Sequence, residues 1–384
     1  MTSEIVKGFN DYTGEEALKR RRIKEIIENI FKLYGFQPAE TPVVEYGEFV
    51  KQGNEQDEAI SDIFKLQDKG KRDLALRYEF TFQLKRIAQN KKLPFKRYQI
   101  GSVFRDEPVS ANRFREFTQC DADIVGSSVK DESELLAMSS KILQNLGIKF
   151  IINANNRKLL NEILEEQKIK EKGAVMREID KLDKLSEAEV KSNLKKYKAE
   201  KLLLLFKKPK SYFKKYPSFA EIEELENCCK MYGVKVNFQP SLARGLSYYN
   251  GTVFEIKTSE MKETICAGGS YSVNGINSTG ISFGLERLSQ LAKISIESKN
   301  VLIISIGEDK KSVELAEKLR KNRIACSVMF GKISKALEFA NSYSIPYVIF
   351  LGKEETNKKK FKLRDMKTGK EQLIAESQLI KELI

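Results

Sequence analysis

The sequence predicts an α+β core domain built on an antiparallel sheet flanked by helices, with a helical insertion and a C-terminal α/β domain. Three observations lead there. FKRYQIGSVFRDEP and FREFTQCDADIVG are strand-like runs around the polar loop VSANR, an antiparallel hairpin with a long tip. From Asn155 to Tyr232 the chain turns Lys- and Glu-rich with helical periodicity, as in NEILEEQKIKEKG and EAEVKSNLKKYKAEKLLLLF. Near Lys299 the pattern becomes β-α-β-α-β, which implies a small domain with a largely parallel sheet. The expected divisions are residues 1–154 and 233–297 for the core, 155–232 for the insertion and 298–384 for the last domain. A chain of 384 residues is long enough for two or three domains.

Taken in order, Glu15 to Tyr34 reads as a long helix. Leu18, Ile23, Ile26, Ile27, Ile30 and Leu33 fall near helical spacing, and Gly35 is the stop. In FQPAETPVVEY, Pro38 and Pro42 favour extended chain. RDLALRYEF reads as a strand, and FTFQLKRIAQNKK as a helix ending before Pro94. After the hairpin and the insertion, VKVNFQPSLARGLSYYNGTVFEIKT returns to strand character. ETICAGGSYS reads as a strand and turn, and TGISFGLERLSQLAK as a strand running into a helix. The last domain follows as VLIISIG, a helix over Lys311–Lys321, ACSVMF, a helix over Ser334–Asn341, and YVIFLG.

Composition excludes several classes of function. The chain contains no histidine, so no imidazole from the protein acts as base, nucleophile or metal ligand. Ser-His-Asp and Cys-His catalysis and H-E-x-x-H metal sites are ruled out. Five cysteines without a C-x-x-C pair point to buried thiols rather than disulfides or a zinc site. No run of eighteen apolar residues spans a membrane. The opening MTSEIVKGFNDYTGEE has no apolar signal core, so the cytoplasm is expected. The net charge of +14 favours a polyanionic partner, although Lys-rich solvated helix faces explain it equally well.

The hairpin carries the chemistry. Strand alternation places Arg105 and Glu107 on one side, and Arg113, Arg115, Phe117, Gln119, Asp121 and Asp123 on one face of the returning strand. That set makes a poor apolar core and a good floor for a ligand with phosphates, an aromatic ring and an amine. Arginine suits bidentate recognition of phosphate and carboxylate. LARGLSYYNGTVFE adds Arg244 and two tyrosines, and GISFGLERL puts Glu286 and Arg287 at a strand-to-helix junction. No G-x-x-x-x-G-K-[ST] loop occurs, and CAGGSYSVNG does not match G-x-G-x-x-G.

Together these segments resemble class II aminoacyl-tRNA synthetases. Pro42 in ETPVVEY resembles the motif 1 proline of the dimer interface. FRDEP through FREFTQCD resembles motif 2, and GISFGLERL resembles motif 3 with Arg287 as its arginine. ARGLSYYNGTVFE is similar to the histidine-specific motif of histidyl-tRNA synthetases, and KGFNDYTGEEA fits the start of that family. QCDADIVG and LRYEFT are similar to its archaeal-type and related branches. The last domain looks like the class IIa anticodon-binding module. Three positions depart from the common pattern: Ser247 where Asp is frequent, Asp123 where Glu is frequent, and Tyr78 where others have Pro.

The resemblance implies activation of L-histidine with ATP to histidyl-adenylate and transfer to tRNA(His), by a cytoplasmic homodimer using Mg²⁺. It implies Arg105 and Arg244 as catalytic groups on either side of the α-phosphate. Arg113 and Arg287 would hold the ATP tail, Phe117 would stack on adenine with Arg287 on the opposite face, and Glu107 would contact adenine or help place Mg²⁺. Glu79, Thr81 and Gln119 would take the α-amino group. Asp123 and Tyr249 would read the imidazole, with Tyr248 nearby. No metal is expected on His or Cys. The competing reading is a catalytically inactive paralogue, a regulatory subunit of ATP phosphoribosyltransferase or an RNA-binding protein. Such paralogues tend to lose the arginines, the last domain or the histidine motif, all kept here. A synthetase for proline, threonine or glycine fits ARGLSYYNGTVFE less well.

Overall fold

The computed structural model describes residues 4–51, 61–243, 248–296, 300–358 and 360–383, with backbone alone at Lys51 and Ser377. It divides into two compact units, residues 1–294 and 295–384.

The first unit opens with α1 (Gly14–Leu33), β1 (Gln37–Pro38), β2 (Val44–Tyr46), α2 (Gly47–Lys51), β3 (Lys65–Gln67), β4 (Asp73–Leu76) and α3 (Thr81–Ile87). The hairpin is β5 (Phe95–Phe104) and β6 (Glu116–Val125), followed by α4 (Val129–Asn145) and β7 (Ile151–Asn156). Helices α5 (Arg157–Glu166), α6 (Lys172–Asp180), α7 (Glu187–Lys195), α8 (Leu202–Leu205) and α9 (Phe219–Met231) come next. Then come β8 (Val236–Phe238), β9 (Thr252–Thr258), β10 (Met261–Val273), β11 (Ile276–Gly284) and α10 (Leu285–Leu291). Eight strands form one sheet in the order β1-β5-β6-β11-β10-β9-β7-β8. Its central pairs are antiparallel; β1 with β5 and β7 with β8 are parallel edges.

Helix α1 has Glu15 and Glu16 in its first turn and Lys32 in its last, matching the helix dipole. It buries Ile23, Ile27, Ile30 and Phe31 against the sheet. Leu18 and Leu33, expected in that stripe, fall outside it, and Leu33 is 83% exposed. Behind the sheet, α4 is closed at its start by Asp131, whose Oδ2 accepts from the Ser128 amide at 2.8 Å. It packs Leu135, Leu136, Ile142 and Leu143 into the same core.

Helices α5 to α9 enclose a separate apolar cluster of Leu159, Ile163, Val175, Ile179, Val190, Leu194, Phe213 and Phe219. On their surfaces Lys207 meets Glu187 at 2.7 Å, Lys214 meets Glu223 at 2.9 Å and Lys215 meets Glu166 at 2.5 Å. Part of the positive charge here is thus matched by exposed ion pairs, which add little to stability.

The segment ETICAGGSYS is not a strand and turn. It lies wholly inside β10, because its glycines permit a close approach between strands: a Cβ on Gly268 would stand 2.0 Å from the Gly280 carbonyl oxygen.

The second unit runs β12 (Val301–Ser305), α11 (Asp309–Lys321), β13 (Cys326–Phe330), α12 (Ile333–Ser342), β14 (Tyr347–Leu351), α13 (Lys353–Lys358), β15 (Lys360–Asp365), β16 (Glu371–Ala375) and α14 (Glu376–Leu383). The sheet order is β13-β12-β14-β15-β16; the first three strands are parallel and β15 and β16 antiparallel. The β15–β16 hairpin was not anticipated, since KFKLRD and EQLIA are too polar to read as strands. Its turn is set by Asp365, which accepts from the Lys367 and Thr368 amides at 2.8 Å each, and by Gly369 at φ 74°. Among the described residues no helix is long and apolar enough to cross a membrane.

Candidate active site

A cavity of about 710 Å³ opens on the face of the large sheet. Its floor follows from strand alternation. Phe117, Gln119, Asp121 and Asp123 on β6 all line it. At roughly 3.3 Å per residue, this row spans about 20 Å, and its polarity changes along the way.

The basic end gathers Arg105, Arg113 and Arg287 with Glu107, Glu263 and Phe117. Arg105 and Glu107 do not sit on a strand as expected, because β5 ends at Phe104 and Arg113 precedes β6. The loop between is ordered by its own bonds: the Arg105 amide donates to the Arg115 carbonyl at 2.8 Å, and Arg113 pairs with Glu107 at 3.1 Å. Arg115, expected beside Arg113, turns away from the cavity to Asp106 at 3.2 Å and braces the loop. The Gly8 carbonyl accepts from the Arg115 amide at 2.8 Å, docking the chain start here. Gly8 has φ 90°, and a Cβ on it would meet Arg115 and Val109 at 2.9 Å.

The guanidinium of Arg105 lies between two rings, 4.3 Å from Tyr78 and 4.9 Å from Phe117. The cation over Phe117 is therefore Arg105. Arg287 instead donates to the Thr264 carbonyl at 2.6 Å. Burial pushes the Tyr78 hydroxyl up to about 12, so it stays a neutral donor. Glu286 also borders the cavity, but its carboxylate is engaged: it accepts from Arg20 at 2.8 Å and from the Thr118 amide at 3.0 Å, fixing the start of α10 and with it Arg287.

The other end is acidic and aromatic. Glu79, Thr81, Gln119, Asp121, Asp123, Tyr248, Tyr249 and Tyr271 line it. Asp123 is held by the fully buried Arg97 at 2.9 Å and by the Tyr271 hydroxyl, which donates to it. Burial raises the Asp123 carboxyl, and Arg97 and Tyr271 oppose that rise. Tyr248 lies 4.8 Å from Tyr249 and 5.6 Å from Tyr271, so three rings border the same space. Gly280 leaves room for this set, since a Cβ there would collide with Asp123 Oδ1. Gln119 donates through Nε2 to Ser282 Oγ at 2.7 Å.

Eleven of the expected site residues thus line one cavity. Arg244 and Ser247 lie outside the described residues. Pro42 is exposed and elsewhere, on the segment entering the small β2-β4-β3 sheet. Sequence reasoning missed Arg97, Tyr271 and Ser282. Arg97 was detectable in principle, since it alternates with Gln99 and Gly101 on β5; Tyr271 carries no local signal. Among the described residues no group of three His, Cys, Asp or Glu side chains is placed to hold a metal ion.

The family described as histidyl-tRNA synthetase matches residues 8–288, and the anticodon binding domain matches residues 300–384. A histidine–tRNA ligase 1 of Bacillus cereus is 37% identical, covering 97% of this chain and 97% of its own length. A crystal structure of histidyl-tRNA synthetase from Nostoc sp. covers 100% of this chain and 99% of its own, with a TM-score of 0.86 at 25% identity. A Bacillus halodurans chain described as an ATP phosphoribosyltransferase regulatory subunit/histidyl-tRNA synthetase reaches a TM-score of 0.76 at 20% identity, over 91% of this chain and 98% of its own. That last likeness is one of fold alone.

Proposed function

The chain belongs to the histidyl-tRNA synthetase family, and from that premise we propose that the sheet-face cavity is where L-histidine and ATP become histidyl-adenylate before transfer to tRNA(His). It is an ATP-dependent histidine–tRNA ligase. The observation that carries the site assignment is the polarity change along β6, from arginines around Phe117 to buried carboxylates around Asp123. ATP belongs at the first end and the amino acid at the second.

The histidine carboxylate attacks the ATP α-phosphorus and pyrophosphate leaves; a terminal ribose hydroxyl of tRNA then takes the acyl group. The protein's part is alignment and charge neutralisation rather than covalent help. Arg105, aligned by Tyr78 and Phe117, bridges the carboxylate and the α-phosphate; the family resemblance gives Arg244, outside the described residues, the second catalytic role. Arg113 and Arg287 hold the β- and γ-phosphates. Phe117 offers its ring to adenine once Arg105 turns to the phosphate. Glu79, Thr81 and Gln119 receive the α-amino group, and Asp123 with Tyr249 and Tyr248 reads the imidazole.

Bound with the nucleotide, Mg²⁺ would supply neutralisation of phosphate charge. Glu107, which lines the basic end of the cavity, is the residue that would help hold it. The protein acts in the cytoplasm, with its tRNA, as a homodimer joined near Pro42. Support for the dimer comes from exposed apolar side chains on that segment and the small sheet: Val43, Val44, Tyr46 and Leu66.

ATP–pyrophosphate exchange with each of the twenty amino acids tests the reading. Exchange with histidine alone is expected. Folded protein that exchanges with none would move the assignment to the regulatory or RNA-binding paralogue.

A further inference from the structure

Asp121 stands on β6 between Gln119 and Asp123, and the mechanism above gives it no role. It is only 6% exposed, yet it lines the cavity, and its Oδ1 has no hydrogen-bond partner among the described residues. The Gln119 Oε1 is in the same condition, because Ser282 occupies the other end of that amide. On the neighbouring strand β11, Asp121 faces Ser282, with Gly280 and Gly284 at the adjacent same-face positions, so no bulky side chain covers these two acceptors. On the other side β5 presents Gln99, whose amide is turned to Thr41 Oγ1 at 2.8 Å. Burial, then the Asp123 carboxylate, push Asp121 up to about 8; Arg97 and Ser282 oppose, and Glu79 adds to the rise.

Buried acceptors without donors are costly, and a carboxyl held protonated beside a second carboxylate gives up its proton more readily when a cation binds next to it. Arg97 directs one nitrogen, Nη2, both to Asp123 and to the Phe80 carbonyl at 3.1 Å, while its Nε and Nη1 have no hydrogen-bond partner among the described residues. A bound amino acid would bring a further cation to this floor. An ammonium group brings three donors and no acceptor, the complement of a floor made of carboxylates and an amide oxygen.

We propose that Asp121 is a second carboxylate for the α-ammonium group of the bound amino acid, opposite Glu79, with Ser282 orienting the Gln119 amide beside it. This rests on the cavity being the histidine-activating site and extends its recognition to a residue that the motif comparison left without a role. Asp121 is a specificity residue: it favours ligands that carry the amine, whatever their carboxylate.

The test uses the full chain and two competitors of histidine-dependent exchange. Histidinol has the amine and no carboxylate; 3-(imidazol-4-yl)propanoate has the carboxylate and no amine. In Asp121→Asn, the KM for histidine and the Ki of histidinol should rise about 10- to 100-fold, the range for a charge-assisted hydrogen bond. The KM for ATP and the Ki of the propanoate should stay within about twofold. Ser282→Ala provides the second variant and should show the same pattern at smaller amplitude. An unchanged histidine KM, or equal weakening of both competitors, would overturn the proposal. Wild-type protein inert toward histidine would instead sink the underlying reading of the cavity.

Discussion

At the scale of single residues, Arg105 shows how a departure from the family pattern is absorbed. The tyrosine at position 78 supplies a ring 4.3 Å from the guanidinium, where the sequence suggested only a missing proline. Removing a group that stabilises transition-state charge costs about 100- to 1000-fold. Arg105→Ala should lose that much histidine-dependent exchange, and Arg105→Lys should not restore it, because an ammonium lacks the flat face that stacks between rings. Exchange at wild-type rate in Arg105→Ala would remove the residue from the mechanism. Asp121 makes a separate demand on stability. Its carboxyl, raised to about 8, keeps a proton that the unfolded chain has already lost above its ordinary range near 4. The native state therefore binds more protons than the unfolded one between these values, and stability falls as pH rises through that window. Asp121→Asn removes this penalty. Its Tm should match wild type near pH 4 and exceed it by roughly a few degrees at pH 8; a pH-independent difference would contradict the burial argument.

At the scale of elements, strand alternation made the floor legible. Phe117, Gln119 and Asp123 were expected on one face because period two leaves β6 no other choice, and they line the cavity. Arg105, Glu107 and Arg113 reach it by a different route, through loop bonds between residues six or ten apart that no local pattern encodes. The glycines of β10 misled in the opposite way, since Gly-Gly reads as a turn when its actual service is close packing against β11. Arg77 links the small sheet to the site. Its side chain donates to the Thr41 carbonyl at 2.8 Å and to the Ser102 carbonyl at 2.6 Å, and its backbone pairs with Val43 and Phe104. The segment that carries Pro42 is thereby tied to Tyr78 and Glu79. If β2 and its neighbours form the subunit contact, a charge at the exposed Val44 should break it. Val44→Asp should sediment as a monomer and lose activity in proportion, while retaining its helix content; an undisturbed dimer would place the contact elsewhere.

At the scale of the whole molecule, the fold class was readable because helices, hairpin and β-α-β alternation leave periodic traces. The β15–β16 hairpin was not, because its strands are as polar as a loop. The absence of histidine also acts at this scale. Between pH 5 and 8 the chain titrates through shifted carboxyls such as Asp121 and Glu132, the latter pushed up to about 7 by burial, and any imidazole in the assay belongs to the substrate. The central claim is that one strand face divides its two substrates by polarity. Equilibrium titration of histidine and of ATP, separately, into wild type, Asp123→Asn and Arg287→Ala tests it most directly. Asp123→Asn should lose histidine and keep ATP, and Arg287→Ala should do the reverse. Both variants weakening both ligands alike would contradict it.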